Sequence, residues 1–236
     1  MNIISVSIFI IVSLFILNKV IDYFSKSTYL IQEIVDATKP ITIDSGKLNS
    51  YGSNNAVNYA YSVWIYVNDW VYRYGEEKII FARGIKDKTG STINDPSPLL
   101  SLGSIENNLI IRTSYLSDDN KLYLSENKIN HIPLQKWVNI IVSVYGRTAD
   151  MYLDGKLVNS FVLPGISNIN SKEDLYITPY GGFSGNLTRL QYLGNAVNPQ
   201  QAWNIYKDGV GDNFGPFSTN INITFSTNGE PSRNLF

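Results

Sequence analysis

Cysteine is absent from the 236 residues, and histidine occurs once, as His131. The first absence excludes disulfides, thiolate metal sites and cysteine nucleophiles together. The second leaves no histidine cluster for a metal and no serine–histidine pairing within one chain. Charge is scarce as well: 17% of residues are ionic, the net charge is −1, and no basic stretch offers a face to nucleic acid. What fills the chain instead is Asn, Ile, Ser and Tyr, with 13% aromatic residues. Short apolar runs between Gly, Asn and Asp turns dominate its middle.

One long hydrophobic run breaks that pattern. Met1 to Asn18 carry no charged side chain, and residues 3–17 are almost wholly apolar. Continued through Val20, Ile21, Tyr23 and Phe24, the run reaches about 22 residues, enough for a hydrocarbon core of ~30 Å. Residues 1–24 are read as a transmembrane anchor, with Ile10, Ile11 and Phe15 in the lipid and Lys19 snorkelling to the interface. A cleaved signal peptide would want a basic start and a small-x-small site, and the sequence has neither. Lys19, Lys26 and Lys39 place positive charge after the span, which leaves the large domain on the cytoplasmic side. Two glycosylation sequons, at Asn186 and Asn222, point the other way.

Residues 25–58 read as a juxtamembrane helix and linker. Apolar spacing from Ser25 to Ala37 is helical, Pro40 ends it, and Ile41–Ile43 alternate like an edge strand. A sandwich over 59–210 follows. Strands are predicted at 59–67, 77–83, 98–102, 108–115 and 121–124, then as a meander at 137–145, 148–153 and 156–163, and finally at 175–178 and 187–192. Asp154-Gly155, between two apolar runs, is the strongest hairpin signal, because both turn residues need positive φ. Residues 211–236 form a tail in which Ile221–Phe225 alternate enough to add an edge strand.

The order of Trp137–Tyr145, Tyr152-Leu-Asp-Gly155, Phe183-Ser-Gly-Asn-Leu187 and Asn198–Gly209 resembles the laminin-G-like branch of the concanavalin A-like lectin/glucanase sandwiches. The resemblance covers residues 59–209. It implies an all-β, two-sheet antiparallel jelly-roll sandwich, here preceded by one N-terminal transmembrane helix, with Trp64, Trp137 and Trp203 in structural positions. A short anchor, one such domain and a cysteine-free, Asn/Ile-rich composition also resemble predicted membrane proteins of large nucleocytoplasmic DNA viruses. That implies a minor structural protein bridging an internal virion membrane and the capsid, with lipid bilayer and other structural proteins as partners. A surface lectin with carbohydrate as ligand is the alternative.

Glucanases of this superfamily carry Glu-x-Asp on one strand. This sequence has no Glu-x-Asp, so an enzyme is not expected. No cofactor is called for either. Relatives of the fold hold Ca²⁺ in rim loops, for which Asp95, Asp118 and Asp119 are the candidate ligands, though a turn-forming role explains Asp118-Asp119 equally well. The segment Asp69–Gly75 is the most attractive partner or sugar contact: if extended, it sets Trp70, Tyr72 and Tyr74 on one side and Val71 and Arg73 on the other. The competing reading folds Trp70 back as a cap on the core.

Overall fold

The computed structural model describes residues 29–49, 58–169 and 172–210. Their elements, in chain order, are β1 (Tyr29–Ile31), β2 (Val35–Asp36), β3 (Ile41–Ile43), α1 (Ser45–Asn49), β4 (Tyr59–Asp69), β5 (Lys78–Arg83), β6 (Ile85–Lys86), β7 (Ile93–Asn94), β8 (Leu99–Leu102) and β9 (Asn108–Leu116). They continue as β10 (Leu122–Asn130), β11 (Trp137–Tyr145), β12 (Thr148–Leu153), β13 (Lys156–Val162), β14 (Ile166–Ser167), β15 (Leu175–Ile177), a 3-10 turn at Pro179–Gly181, β16 (Ser184–Leu193) and α2 (Pro199–Lys207).

Two seven-stranded sheets result. The first runs β1-β16-β4-β11-β12-β13, with β2 beside β16; the second runs β10-β9-β8-β5-β15-β3, with β14 beside β9. Between them lies one apolar core, in which Tyr61 packs on Phe81 and Tyr192 at centroid distances of 5.1 and 5.0 Å. The two-sheet antiparallel sandwich is the architecture that alternating strands and tight turns imply.

β4 and β11 are buried along nearly their whole length, which an ordinary half-solvated strand is not. The cause is α2, lying on the outer face of the first sheet. Ala202 of that helix packs with Ala60, Ile141, Tyr152 and Val197. Trp64 stacks on Tyr206 at 5.6 Å, and Trp203 leans on the same ring at 5.4 Å. Asn198 caps the helix reciprocally with Gln201, and Pro199 supplies the first turn. The Asp154-Gly155 hairpin forms with positive φ at both residues, 48° and 73°. A Cβ on Gly155 would meet Tyr206 at 2.9 Å, so this turn also seats the helix.

One expectation is corrected. The helical spacing of Ser25–Ala37 yields strands over its described part, β1 and β2, which pair with β16; Ile41–Ile43 form the expected edge strand, β3, beside β15 at the end of the second sheet. Edge pairing outweighs the weak preference of a short isolated helix, and the sandwich already includes Tyr29. Among the described residues no helix is long and apolar enough to cross a membrane. The anchor expected over 1–24, with Ile10, Ile11, Phe15 and Lys19, lies outside the described residues, as does the strand expected at Ile221–Phe225.

Candidate binding surface

The segment Asp69–Gly75 is a turn, not an extended strand, so its aromatics do not line up on one side. Asp69 Oδ1 accepts the Val71 amide at 2.8 Å, and Tyr74 N reaches back to Val71 O at 2.9 Å. Arg73, at φ 50°, completes the reversal. Trp70 is half-buried against the core and donates Nε1–H to Ile105 O at 3.0 Å. The Tyr72 hydroxyl donates to Gly181 O at 3.1 Å. Arg73 donates to Gly182 O at 3.2 Å and pairs with Glu76 at 2.7 Å. Three of the four residues read as contacts thus clamp loops together. Tyr74 alone projects outward, 59% exposed, beside Val71 at 71%.

Under Trp70 lies Lys78, which is buried, with its Nζ 5.0 Å from the ring centroid and 3.5 Å from each of the carbonyls of Glu76 and Gly103. Burial, and after it the charge of Arg73, holds this ammonium below the ordinary lysine pKa.

The acidic candidates do not converge. Asp95 sits alone in an exposed left-handed turn. Asp119 Oδ1 accepts the Lys121 amide at 3.1 Å, and its Oδ2 accepts the Tyr123 hydroxyl at 2.9 Å, which is the work of a turn former. Among the described residues no group of three His, Cys, Asp or Glu is placed to hold a metal ion. Of the sequons, Asn186 lies half-buried in β16 between β2 and β4, and its Thr188 hydroxyl is buried and donates to Gln32 O at 3.0 Å. Asn222 lies outside the described residues.

The outer face of the second sheet exposes aliphatic side chains at its β9–β10 end, while Ala82, Leu99, Ser101, Ile110 and Ser114 of the same face are buried. Cross-strand partners share a face, so Ile166, Leu116 and Leu122 form one row across β14, β9 and β10, with Leu124 two residues further on. Their exposures are 52%, 40%, 40% and 51%, a contiguous aliphatic patch. Beside it runs a charged ladder. Arg112 of β9 bonds Glu77 on one side and Glu126 of β10, at 2.7 Å, on the other; Lys128 reaches Glu126 at 3.4 Å. Glu77 also accepts the Ser101 hydroxyl. Burial works to raise the Glu126 pKa, but the hydrogen bonds and charges of Arg112 and then Lys128 outweigh it and leave it lowered. A carboxylate held this way is a poor general acid. The sequence pattern missed both features because Glu77, Arg112 and Glu126 are far apart in the chain and only strand register joins them.

A hollow of about 420 Å³ opens beside α2, lined by Gln191, Asn195, Gln201, Asn204 and Asp208. His131, in a left-handed turn whose amide bonds Asn107 O at 2.8 Å, stands apart from both.

Two antiparallel sheets over one core, one of them roofed by a short helix, define a lectin-like β-sandwich. A sequence profile described as the Concanavalin A-like lectin/glucanases superfamily matches residues 40–203, and the chain belongs to that superfamily. No curated protein matches it by sequence. Among solved structures it is similar to the binding domain of botulinum neurotoxin DC in complex with rat synaptotagmin II, at 12% identity and a TM-score of 0.53, over 71% of this chain and 39% of that one. The receptor-binding domain of botulinum neurotoxin D matches at 12% identity and 0.53, over 75% and 42%. A botulinum neurotoxin type C structure, described by its dependence on two ganglioside molecules, matches at 15% and 0.51, over 71% and 39%. The chain spans about two fifths of these toxin chains, and at such identity the likeness speaks for the fold alone.

Proposed function

We propose that this chain is a non-catalytic binding module that serves in assembly, held to a membrane by its apolar N-terminal segment. The finer setting, a minor structural protein tying a virion's internal membrane to its capsid, rests on the sequence resemblance. The observation that carries the binding role is the exposed aliphatic row Ile166–Leu116–Leu122 with Leu124, flanked by fixed charges. Contiguous exposed apolar side chains with a polar border mark protein contact surfaces. Membrane attachment is supported by the uncharged run alone.

Cross-linking of intact particles or membranes tests the reading. Leu122→Asp with Leu124→Asp is expected to abolish cross-links from the second sheet to neighbouring structural proteins, with the melting temperature nearly unchanged, because both side chains are already solvated. Undiminished cross-links from the double variant overturn it.

A lectin reading is favoured by a different feature, the amide-walled hollow beside α2, whose Asn and Gln groups suit sugar hydroxyls. Of the toxin structures, one is described in complex with rat synaptotagmin II, one in complex with SialylT and one by an interaction with two ganglioside molecules, which is true of those proteins. Glycan-array binding that is lost on Asn195→Ala and kept in the Leu122/Leu124 variant would decide for the lectin.

A further inference from the structure

β10 ends the second sheet. It pairs with β9 residue for residue from Leu122↔Leu116 to Asn130↔Asn108, without a bulge, and among the described residues no strand pairs with its other edge. Its nine residues contain no proline and no glycine. The other free ends are less fit for pairing: β1 and β3 have three residues each, and the ladder that places β13 shifts register between Met151 and Tyr152. A long, straight, unprotected edge is a template for another strand.

We propose that this edge takes the same strand of a second copy of the chain, antiparallel, about a two-fold axis at Asn127. The occupant follows from the charges. Side chains alternate with a period of two, so only registers that keep outer face beside outer face preserve the sheet. Centring the pair on Glu126 overlaps the strands fully but sets Glu126 against its own copy, and like charges directly opposite repel. Centring on Ser125 sets Glu126 against Leu124 and Lys128 against Leu122. Centring on Asn127 pairs residues 124–130 with themselves reversed and puts Glu126 of each copy opposite Lys128 of the other, twice. Within one copy Arg112 of β9 holds one oxygen of Glu126 at 2.7 Å and Lys128 holds the other at 3.4 Å, while the two side chains remain 39% and 52% exposed.

Opposite charges placed symmetrically about a single residue are what an isologous contact requires, since each position meets its complement from the same surface. A heterologous strand needs no such symmetry. The pairing joins two second sheets edge to edge and sets two aliphatic rows on one continuous surface. It stands independently of what those rows bind.

The chain has no cysteine, so one introduced thiol reports the register. In the full chain in detergent, Asn127→Cys faces itself across the axis and is expected to form a disulfide dimer on mild oxidation. Ser125→Cys, which faces Ile129 instead, is expected to stay largely uncross-linked. Adding Lys128→Glu to Asn127→Cys lowers the cross-linked fraction about tenfold, as reversed cross-strand charges should. Mixing that variant with Asn127→Cys/Glu126→Lys restores it as a heterodimer. The proposal is overturned if Asn127→Cys melts like the parent yet stays monomeric, which is also the result expected if residues 221–225 occupy the edge. It is overturned equally if both cysteine variants cross-link alike, or if Asn127→Cys joins a different protein.

Discussion

The indole of Trp70 covers the ammonium of Lys78, with 5.0 Å between ring centroid and Nζ. Lys78 caps the end of the core where β5 begins, and Trp70 keeps water from a cation that otherwise meets only carbonyl oxygens at 3.5 Å. The contact makes Trp70 part of the sandwich and leaves Tyr74 as the solvent-facing aromatic of that loop.

Trp70→Ala is therefore expected to cost about 2–4 kcal/mol, through lost packing, the lost Ile105 hydrogen bond and the lost cation–π contact with Lys78. Tyr74→Ala should stay within about 0.5 kcal/mol of the parent. Urea melts of the two variants check this. Equal, small losses would return Trp70 to the surface.

The hairpin under α2 gives a second expectation. Gly155→Ala forces a side chain into a left-handed turn and into Trp203 and Tyr206 together, at 3.0 and 2.9 Å. A loss of about 2–4 kcal/mol follows from strain plus overpacking. Near-ultraviolet circular dichroism should change with it, because Trp64 and Trp203 both rest on Tyr206.

Alkaline pH should act through the core tyrosines. Burial raises the pKa of Tyr59 and Tyr61, more than the hydrogen bonds of Ser167 and Ser97 to the first or the charge of Arg83 near the second lower it. A folded pKa above the unfolded value of ~10 contributes stability in full below that value and loses it as pH rises beyond. In a spectrophotometric titration these two phenols should ionise only together with unfolding. A smooth titration of all 16 tyrosines in the folded chain would contradict their burial.

For the N-terminal segment, Ile10→Asp with Ile11→Asp is expected to move the protein into the soluble fraction, since each charge near mid-bilayer costs about 2.5–3.5 kcal/mol on insertion scales. Retention of the double variant in the membrane after carbonate extraction would exclude the anchor.

The sequence alone determined the strands whose alternation is local, and it did so closely: Trp137–Tyr145 and Thr148–Leu153 form with the predicted limits, and Asp154-Gly155 turns as its chemistry demands. It also determined what chemistry is absent, because residue types that do not occur cannot be assembled by folding. Tertiary structure decided the rest. Tyr29–Ile31 became a strand because β16 offered an edge, a long-range fact that helical spacing in a short segment cannot encode. Trp70 and Tyr72 turned inward because the chain reverses after Asp69, which the aromatic spacing does not reveal. Arg112 found Glu77 and Glu126, and four exposed aliphatic side chains found one another at one end of the second sheet, through register between strands distant in the chain. A binding surface on a sheet is spread across strands, and the order of residues along one strand records only one row of it.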